Sequence, residues 1–270
     1  MTVDRLITAA AAEPIPSHGR LAGGVYVAVD GGDMSLTVPE GVRASLLLIG
    51  RGGGNSAIRI DIERGAELSV VELFAGSTGS RLHITQSESS LCRMTTLVLS
   101  SSEVRHTVDL MQRDARFDLG GAFVLSGDDR SDWKIDVNHR SADCSSRSVV
   151  KGVASGSSHG RFGGLVYVAP DAQRTDSQQT SRNVTIGAQA RIETSPQLEI
   201  YADDVKCSHG ATVGQIDGEA IMYMRQRGLT EAQARRLQIE GFVGDVVMHT
   251  VVESVGGILA EIVAEKLETI

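Results

Sequence analysis

The stretch Pro196-Gln-Leu-Glu-Ile-Tyr-Ala-Asp-Asp-Val-Lys-Cys-Ser-His-Gly-Ala-Thr-Val-Gly-Gln-Ile-Asp217 divides the chain into a strand-rich part before it and a helix-rich part after it. Leu198 and Ile200 alternate with Glu199 and Tyr201, the period-two pattern of a half-buried strand, and Asp203-Asp204 interrupts that pattern as a turn. A second strand is expected from Val205. Successive strand side chains face opposite ways, so Val205, Cys207 and His209 share one face while Lys206 and Ser208 share the other.

A thiol and an imidazole on one strand face form half of a ligand set suited to zinc or an iron–sulfur cluster. Such sites usually take four ligands, and the nearest further Cys or His in the sequence are His159 and His249. The remaining ligands are therefore expected from distant sequence or from a second chain. The same spacing also fits a small buried cysteine beside a satisfied interior histidine. A Ser-His-Asp triad of Ser208, His209 and Asp217 is disfavoured, because adjacent strand residues face apart and no nucleophile-elbow pattern surrounds the serine.

Upstream, from Gly23 to about Gly187, short β-rich runs such as Val25–Val29, Ser45–Ile49, Ala57–Ile62 and Leu97–Leu99 recur at spacings of about 10 to 14 residues, divided by Gly, Ser and Asp. A sandwich, a barrel and a solenoid all fit that rhythm. The nearly continuous apolar runs Ser45-Leu-Leu-Leu-Ile49 and Leu97-Val-Leu99, and the scarcity of Asn-Gly or Asp-Gly hairpin pairs, favour strands buried in parallel sheets. One internal echo stands out: Ser17-His-Gly-Arg returns at Ser158-His-Gly-Arg, each followed by Val-Tyr-Val-Ala, which pairs His18 with His159 as a disfavoured metal candidate. His83, His106 and His139 each stand alone in β-rich segments and are expected on strand faces or the surface. Gly50-Arg-Gly-Gly-Gly-Asn55 is expected to be a turn, since no Gly-Lys-Ser/Thr follows it, so this chain is expected to bind no nucleotide. Asp128-Asp129 likewise reads as a turn.

Downstream, Asp217 is a credible N-cap for a helix through Arg227 that Gly228 ends, and Thr230 with Gln233 forms a capping box for the next. Ile239, Phe242, Val243, Val246, Val247 and Thr250 then fall on one helical face; Val255, Ile258, Leu259, Ile262, Val263 and Leu267 repeat the device. These stripes are expected to pack on each other and on the end of the β-rich part.

A formal charge of −8 argues against a sequence-independent grip on nucleic acid or an anionic membrane, and no run approaches the roughly eighteen apolar residues of a membrane span. Three widely spaced cysteines, Cys92, Cys144 and Cys207, suit a reducing compartment, and the cytoplasm is expected.

The string from Leu198 to Asp217, followed by Tyr223, Arg225 and Arg227-Gly228, resembles the SufB/SufD family of iron–sulfur cluster assembly proteins, on the SufD side. The resemblance covers Gly152 to the C-terminus closely and 24–152 only in style. It implies a right-handed parallel β-helix core, 23–216, after a short N-terminal segment, 1–22, and before a C-terminal helical subdomain, 217–270. It also implies dimerisation through the core, partnership with the ATPase SufC, and a docking surface for SufC in the helical tail. Cys207 and His209 become candidate ligands for a transient cluster at the dimer interface. SufB-type chains carry a glutamate after the motif histidine and a sulfur-accepting cysteine upstream; here Gly210 follows His209 and no cysteine lies between Cys144 and Cys207, which points to a non-catalytic, SufD-like partner of a SufB-like subunit. Two copies of Cys207 and His209 would also give four ligands in a stand-alone homodimeric scaffold. The N-terminal helical region of longer relatives is expected to be missing. A β-helix enzyme acting on polysaccharide is the reading from another class, but one Trp, four Tyr and five Phe leave few platforms for sugar rings.

Overall fold

The computed structural model describes residues 2–270. Its core is two parallel sheets between which the chain alternates, so each coil gives one strand to each sheet. One sheet of nine takes β1 (Glu13–Pro14), β3 (Gly24–Val29), β5 (Arg43–Gly50), β7 (Glu67–Phe74), β9 (Leu91–Val98), β11 (Arg116–Leu125), β13 (Ser145–Ser155), β15 (Thr175–Ile186) and β17 (Val205–Gln215), in that order. The sheet of eight takes β2 (His18–Arg20), β4 (Met34–Val38), β6 (Asn55–Ile62), β8 (Thr78–Gln86), β10 (Ser102–Leu110), β12 (Arg130–His139), β14 (His159–Val168) and β16 (Arg191–Ile200). This is a parallel β-solenoid. Twisted parallel strands joined by crossovers favour the right-handed sense implied by the resemblance.

A corner of fixed geometry repeats along the solenoid. Gly41, Gly65, Ser89, Asp114, Asp143 and Arg174 all have positive φ between 54° and 68°; the first five lie two residues before an odd-numbered strand and Arg174 one residue before β15. Several donate their backbone N–H to the next coil, Gly65 to the Glu88 carbonyl and Ser89 to the Arg113 carbonyl among them. The left-handed conformation is open to Gly and tolerated by Asp and Ser. At the late corners Asp143 accepts from both Arg113 and Arg174, which holds its carboxyl down at about 2. Coil length is not constant: Glu67 faces Leu91, 24 positions on, whereas Ser145 faces Asp176, 31 on.

The two sheets differ in what covers their outer faces, and their sequences differ accordingly. In β6, Ile58, Ile60 and Ile62 point into the core while Arg59 and Asp61 face water. In β5, Leu46 and Leu48 join that same core, but Leu47 and Ile49 are buried on the opposite side, under helices. A strand buried on both faces has no polar face to show, which is why these runs read as continuously apolar.

The helices that provide this cover are α1 (Thr2–Ala9), α3 (Glu231–Met248) and α4 (Gly256–Leu267). The predicted stripes of α3 and α4 are buried, but against the flank of the nine-stranded sheet, over Leu47, Val71, Leu73, Leu97 and Val124, and not on the end of the solenoid as expected. The flank is the larger continuous apolar surface, and burying it is worth about 25 cal/mol per Å². Lys266 clamps α4 to Asp129 at 2.8 Å, and Lys151 reaches Asp245 of α3 at 2.7 Å. The expected caps are present: Asp217 accepts from Glu219 and Ala220 at the start of α2 (Gly218–Gln226), and Thr230 with Gln233 closes the capping box of α3. Before residue 23 the chain already holds α1 and the first two strands, paired with β3 and β4. Among the described residues, no helix is long and apolar enough to cross a membrane.

Gly121 in β11 points inward beneath the indole of Trp133, where an added Cβ would lie 2.2 Å from a ring carbon; beside it, Gly120 faces outward with its nearest atom at 3.9 Å. Gly121→Ala should therefore lower stability by about 1–3 kcal/mol while Gly120→Ala changes it far less, as read by denaturant unfolding.

Candidate functional site

The solenoid ends at β16 and β17, whose outer edges carry no further strand. The parallel register sets Cys207 beside Ser177 and His209 beside Gln179, and Ser177 in turn beside Ser146. Residues paired this way share a face, and Ser146, Ser177 and Gln179 are buried. Cys207 and His209 therefore continue the inward-facing columns at the open end, on one face as expected.

Their surroundings differ. Cys207 is half-buried, packed with Val205, Leu198 and Ala169 against Val166 and Val168. His209 is exposed, as is the strand from Ser208 to Gln215. The interior-histidine reading fails for His209 because no coil follows to cover it. Burial pushes the Cys207 thiol above its ordinary range, opposed by a backbone hydrogen bond from Ser177 and assisted by Asp176. Cys92 and Cys144 are buried, and burial raises their thiols too.

Behind this pair the interior changes character. Early coils fill it with Leu46, Val70 and Phe117; the last coils fill it with Ser146, Ser177, Gln179, Ser181 and Asn183. His139 bonds Ser146 at 2.9 Å, and Ser146 bonds Ser177 at 2.8 Å. Burial depresses the His139 imidazole to about 4, so it is neutral at physiological pH. The buried Gln179 Oε1, Asn183 Oδ1 and Thr194 Oγ1 have no partner among the described residues. Gly164 on the facing sheet makes room for Gln179, whose amide nitrogen lies 1.6 Å from where a Cβ would stand.

Two ligands do not close a metal site. Among the described residues no group of three or more His, Cys, Asp or Glu side chains could hold a metal ion, so a soft cation held by Cys207 and His209 needs donors from elsewhere. The other candidates separate. Ser208 faces away from His209, and Asp217 is engaged as the α2 cap. His18 and His159 begin strands β2 and β14, six strand spacings apart, about 29 Å. Gly50–Asn55 is the turn between β5 and β6, with Gly52 and Gly53 at positive φ. Asp128-Asp129 and Asp203-Asp204 are also turns.

Sequence reasoning missed an interior polar cluster. His106, expected on a strand face or the surface, is fully buried with its Nε2 2.8 Å from the equally buried Glu72. Thr96 donates to Glu72, and the Trp133 indole N–H donates to His106 Nδ1 at 3.2 Å. The signal was available in part: Glu72 interrupts the apolar run of β7 at an inward-facing position. Removing one partner of such a pair leaves the other buried polar group unsatisfied.

A parallel β-solenoid with a helical flank, closed along its length and open at its last coil, is the class of protein these observations define. Residues 25–242 match the family "SUF system FeS cluster assembly, SufBD core domain". The chain is 34% identical to the iron–sulfur cluster assembly protein SufD of Escherichia coli over 69% of its length and 53% of that protein's. It is 32% identical to a SufBD family protein of Synechocystis, covering 67% of this chain and 40% of that one, and 28% identical to one from Mycobacterium tuberculosis, covering 89% and 65%. The chain belongs to the SufBD family of iron–sulfur cluster assembly proteins and is SufD-like within it. It spans less than two thirds of the length of these relatives.

The thiolate is the reactive form of cysteine, so native-state alkylation by iodoacetamide should modify Cys207 before Cys92 and Cys144. Because the Cys207 thiol is raised, its rate should be slow at neutral pH and climb as pH rises beyond the ordinary thiol range. Peptide mass mapping against pH checks both order and direction.

Proposed function

We propose that this chain is a non-catalytic subunit of an iron–sulfur cluster assembly complex. It associates through the open last coil with a SufB-like subunit or a second copy, and Cys207 and His209 serve as ligands to a cluster that is cargo, not a resident cofactor. The observation that carries this reading is the position of these two side chains at an edge strand with no covering coil. Exposed strand edges invite pairing with another chain, and a thiol and imidazole beside such an edge gain their missing donors when it is covered. The apolar neighbours of Cys207 shield the thiol; metal binding would displace its proton, and a change in exposure would assist that loss. Three unpaired cysteines suit a reducing compartment such as the cytoplasm.

A SufC-like ATPase is the partner proposed for the helical region. The stripes of α3 and α4 are committed to the sheet, so the contact falls to the outer side of α2 and α3. There Met222 and Tyr223 are 63% and 55% exposed and Leu237 is 51% exposed. The Arg227 guanidinium lies 4.6 Å over the Tyr223 ring and shares a depression with Leu237. Aromatic and Arg side chains of this kind anchor protein interfaces. The relatives' names describe assembly proteins, and no observation here favours the polysaccharide enzyme.

Cys207→Ala and His209→Ala should each leave the fold and ATPase binding intact while abolishing cluster assembly in a complementation assay. Normal assembly by both variants would reduce the pair to packing. Tyr223→Ala combined with Leu237→Asp should remove the ATPase in co-purification without shifting the unfolding midpoint, and retained ATPase would move the contact elsewhere. Deleting α3 is a poorer test, because it would uncover the sheet flank.

A further inference from the structure

A groove of roughly 690 Å³ runs between the outer face of the nine-stranded sheet and the C-terminal end of α3, on the face opposite Cys207 and His209. The parallel register builds it in rows. Its floor is Thr95, Gly120, Val149 and Thr180, paired side by side across β9, β11, β13 and β15. Three strand spacings make that row about 14 Å long. The small residues, with no side chain at all at Gly120, keep the floor low.

One rim is the neighbouring row, Arg93, Asp118, Arg147 and Gln178, also paired side by side. The other side carries Lys151, Arg182, Asp245 and His249. Four cationic side chains thus meet two carboxylates, an excess of two positive charges in a chain of net charge −8. Lys151 is engaged by the Phe242 carbonyl and Asp245, each at 2.7 Å. Arg147 donates to Gln178 at 3.2 Å. Among the described residues, Arg93 and Arg182 have no carboxylate within ion-pair distance, and Asp118 has no basic nitrogen within that distance. Burial raises the Asp118 carboxyl despite the pull of Arg147, Arg93 and Arg116. Surface arginines on this protein are otherwise commonly paired, as Arg20 is with Glu63 and Arg64 with Glu40.

We propose that this groove binds an elongated, phosphate-bearing small anion, with its phosphate between the guanidinium forks of Arg93 and Arg147 and its uncharged body along Gly120 and Val149. Guanidinium forks match phosphate oxygens in pairs, and β9 and β13, rigidly joined through β11, hold the two forks at a fixed separation. The His249 imidazole and the Thr180 hydroxyl supply further polar contacts along the trough. Asp118, between the two arginines, opposes the anion and sets a ceiling on affinity. The expectation that this chain binds no nucleotide rests on the missing glycine-rich loop; an arginine rim on a sheet needs no such loop.

Calorimetric titration of the full chain with inorganic pyrophosphate and, separately, with ADP tests this. The expected result is saturable one-to-one binding, tighter for ADP because its nucleoside covers the floor, and weakening as salt screens the rim. Arg93→Gln with Arg147→Gln should lower affinity by about tenfold or more, and Asp118→Asn should raise it. These side chains are exposed, so the variants should unfold at the wild-type temperature, which the same samples report. Loss of neither probe's binding in the double variant, weaker binding in Asp118→Asn, or no saturable binding of either probe to the wild-type chain at millimolar concentration would overturn the proposal. Cluster assembly by the Cys207 and His209 variants is a separate readout, so failure here leaves the role of the last coil untouched.

Discussion

The in-register parallel ladder is the constraint on which the rest of the molecule depends. Each strand bonds to strands one coil before and one coil after it, so like positions stack: Ser146 on Ser177 on Cys207, and Thr95 beside Gly120 beside Val149. A solenoid has no freedom to slip this register, because a shift of one residue would turn every core side chain outward. The repeated left-handed corner from Gly41 to Arg174 keeps successive coils in phase even as their length grows from 24 to 31 residues.

The ladder also creates two liabilities. Along its length, the nine-stranded sheet presents an apolar outer face that water cannot be left to cover, and α1, α3 and α4 bury it. The ionic clamps at Lys151 and Lys266 orient those helices, while the apolar stripe supplies most of the attraction. At its end, the ladder leaves unpaired backbone on β16 and β17. The helices do not cap that end, so it is left open as the proposed association site, while the flank of helices turns its own outer side to solvent.

The interior shows a second departure from simple packing. Most coils are filled with aliphatic and aromatic side chains, yet Glu72 and His106 pair at full burial, and the last coils hold a column of hydroxyl and amide groups. A buried polar group costs stability unless it is hydrogen-bonded, and Thr96 and the Trp133 indole supply such bonds to Glu72 and His106. That pair beside Trp133, and the Gln179 and Asn183 amide oxygens that have no partner among the described residues, are interior groups that apolar packing alone does not account for.

Much of this was legible beforehand. Period two in 198–209 placed Cys207 and His209 on one face, Asp217 and Thr230 announced the helix starts, and the unbroken run at Leu46–Ile49 signalled a strand buried on both sides. These are local properties, set by backbone periodicity and by side chains reaching their own main chain. The tertiary structure decided what lies across space: that the helical stripes meet the flank and not the end, that His106 faces Glu72, that His209 is exposed while Cys207 is half-covered, and that outward arginines from separate strands line one groove. Alternation tells which residues share a face of a strand, but the residue that covers or pairs with them comes from another coil, as Leu91 does for Glu67 and Asp176 for Ser145, and no local pattern carries that information.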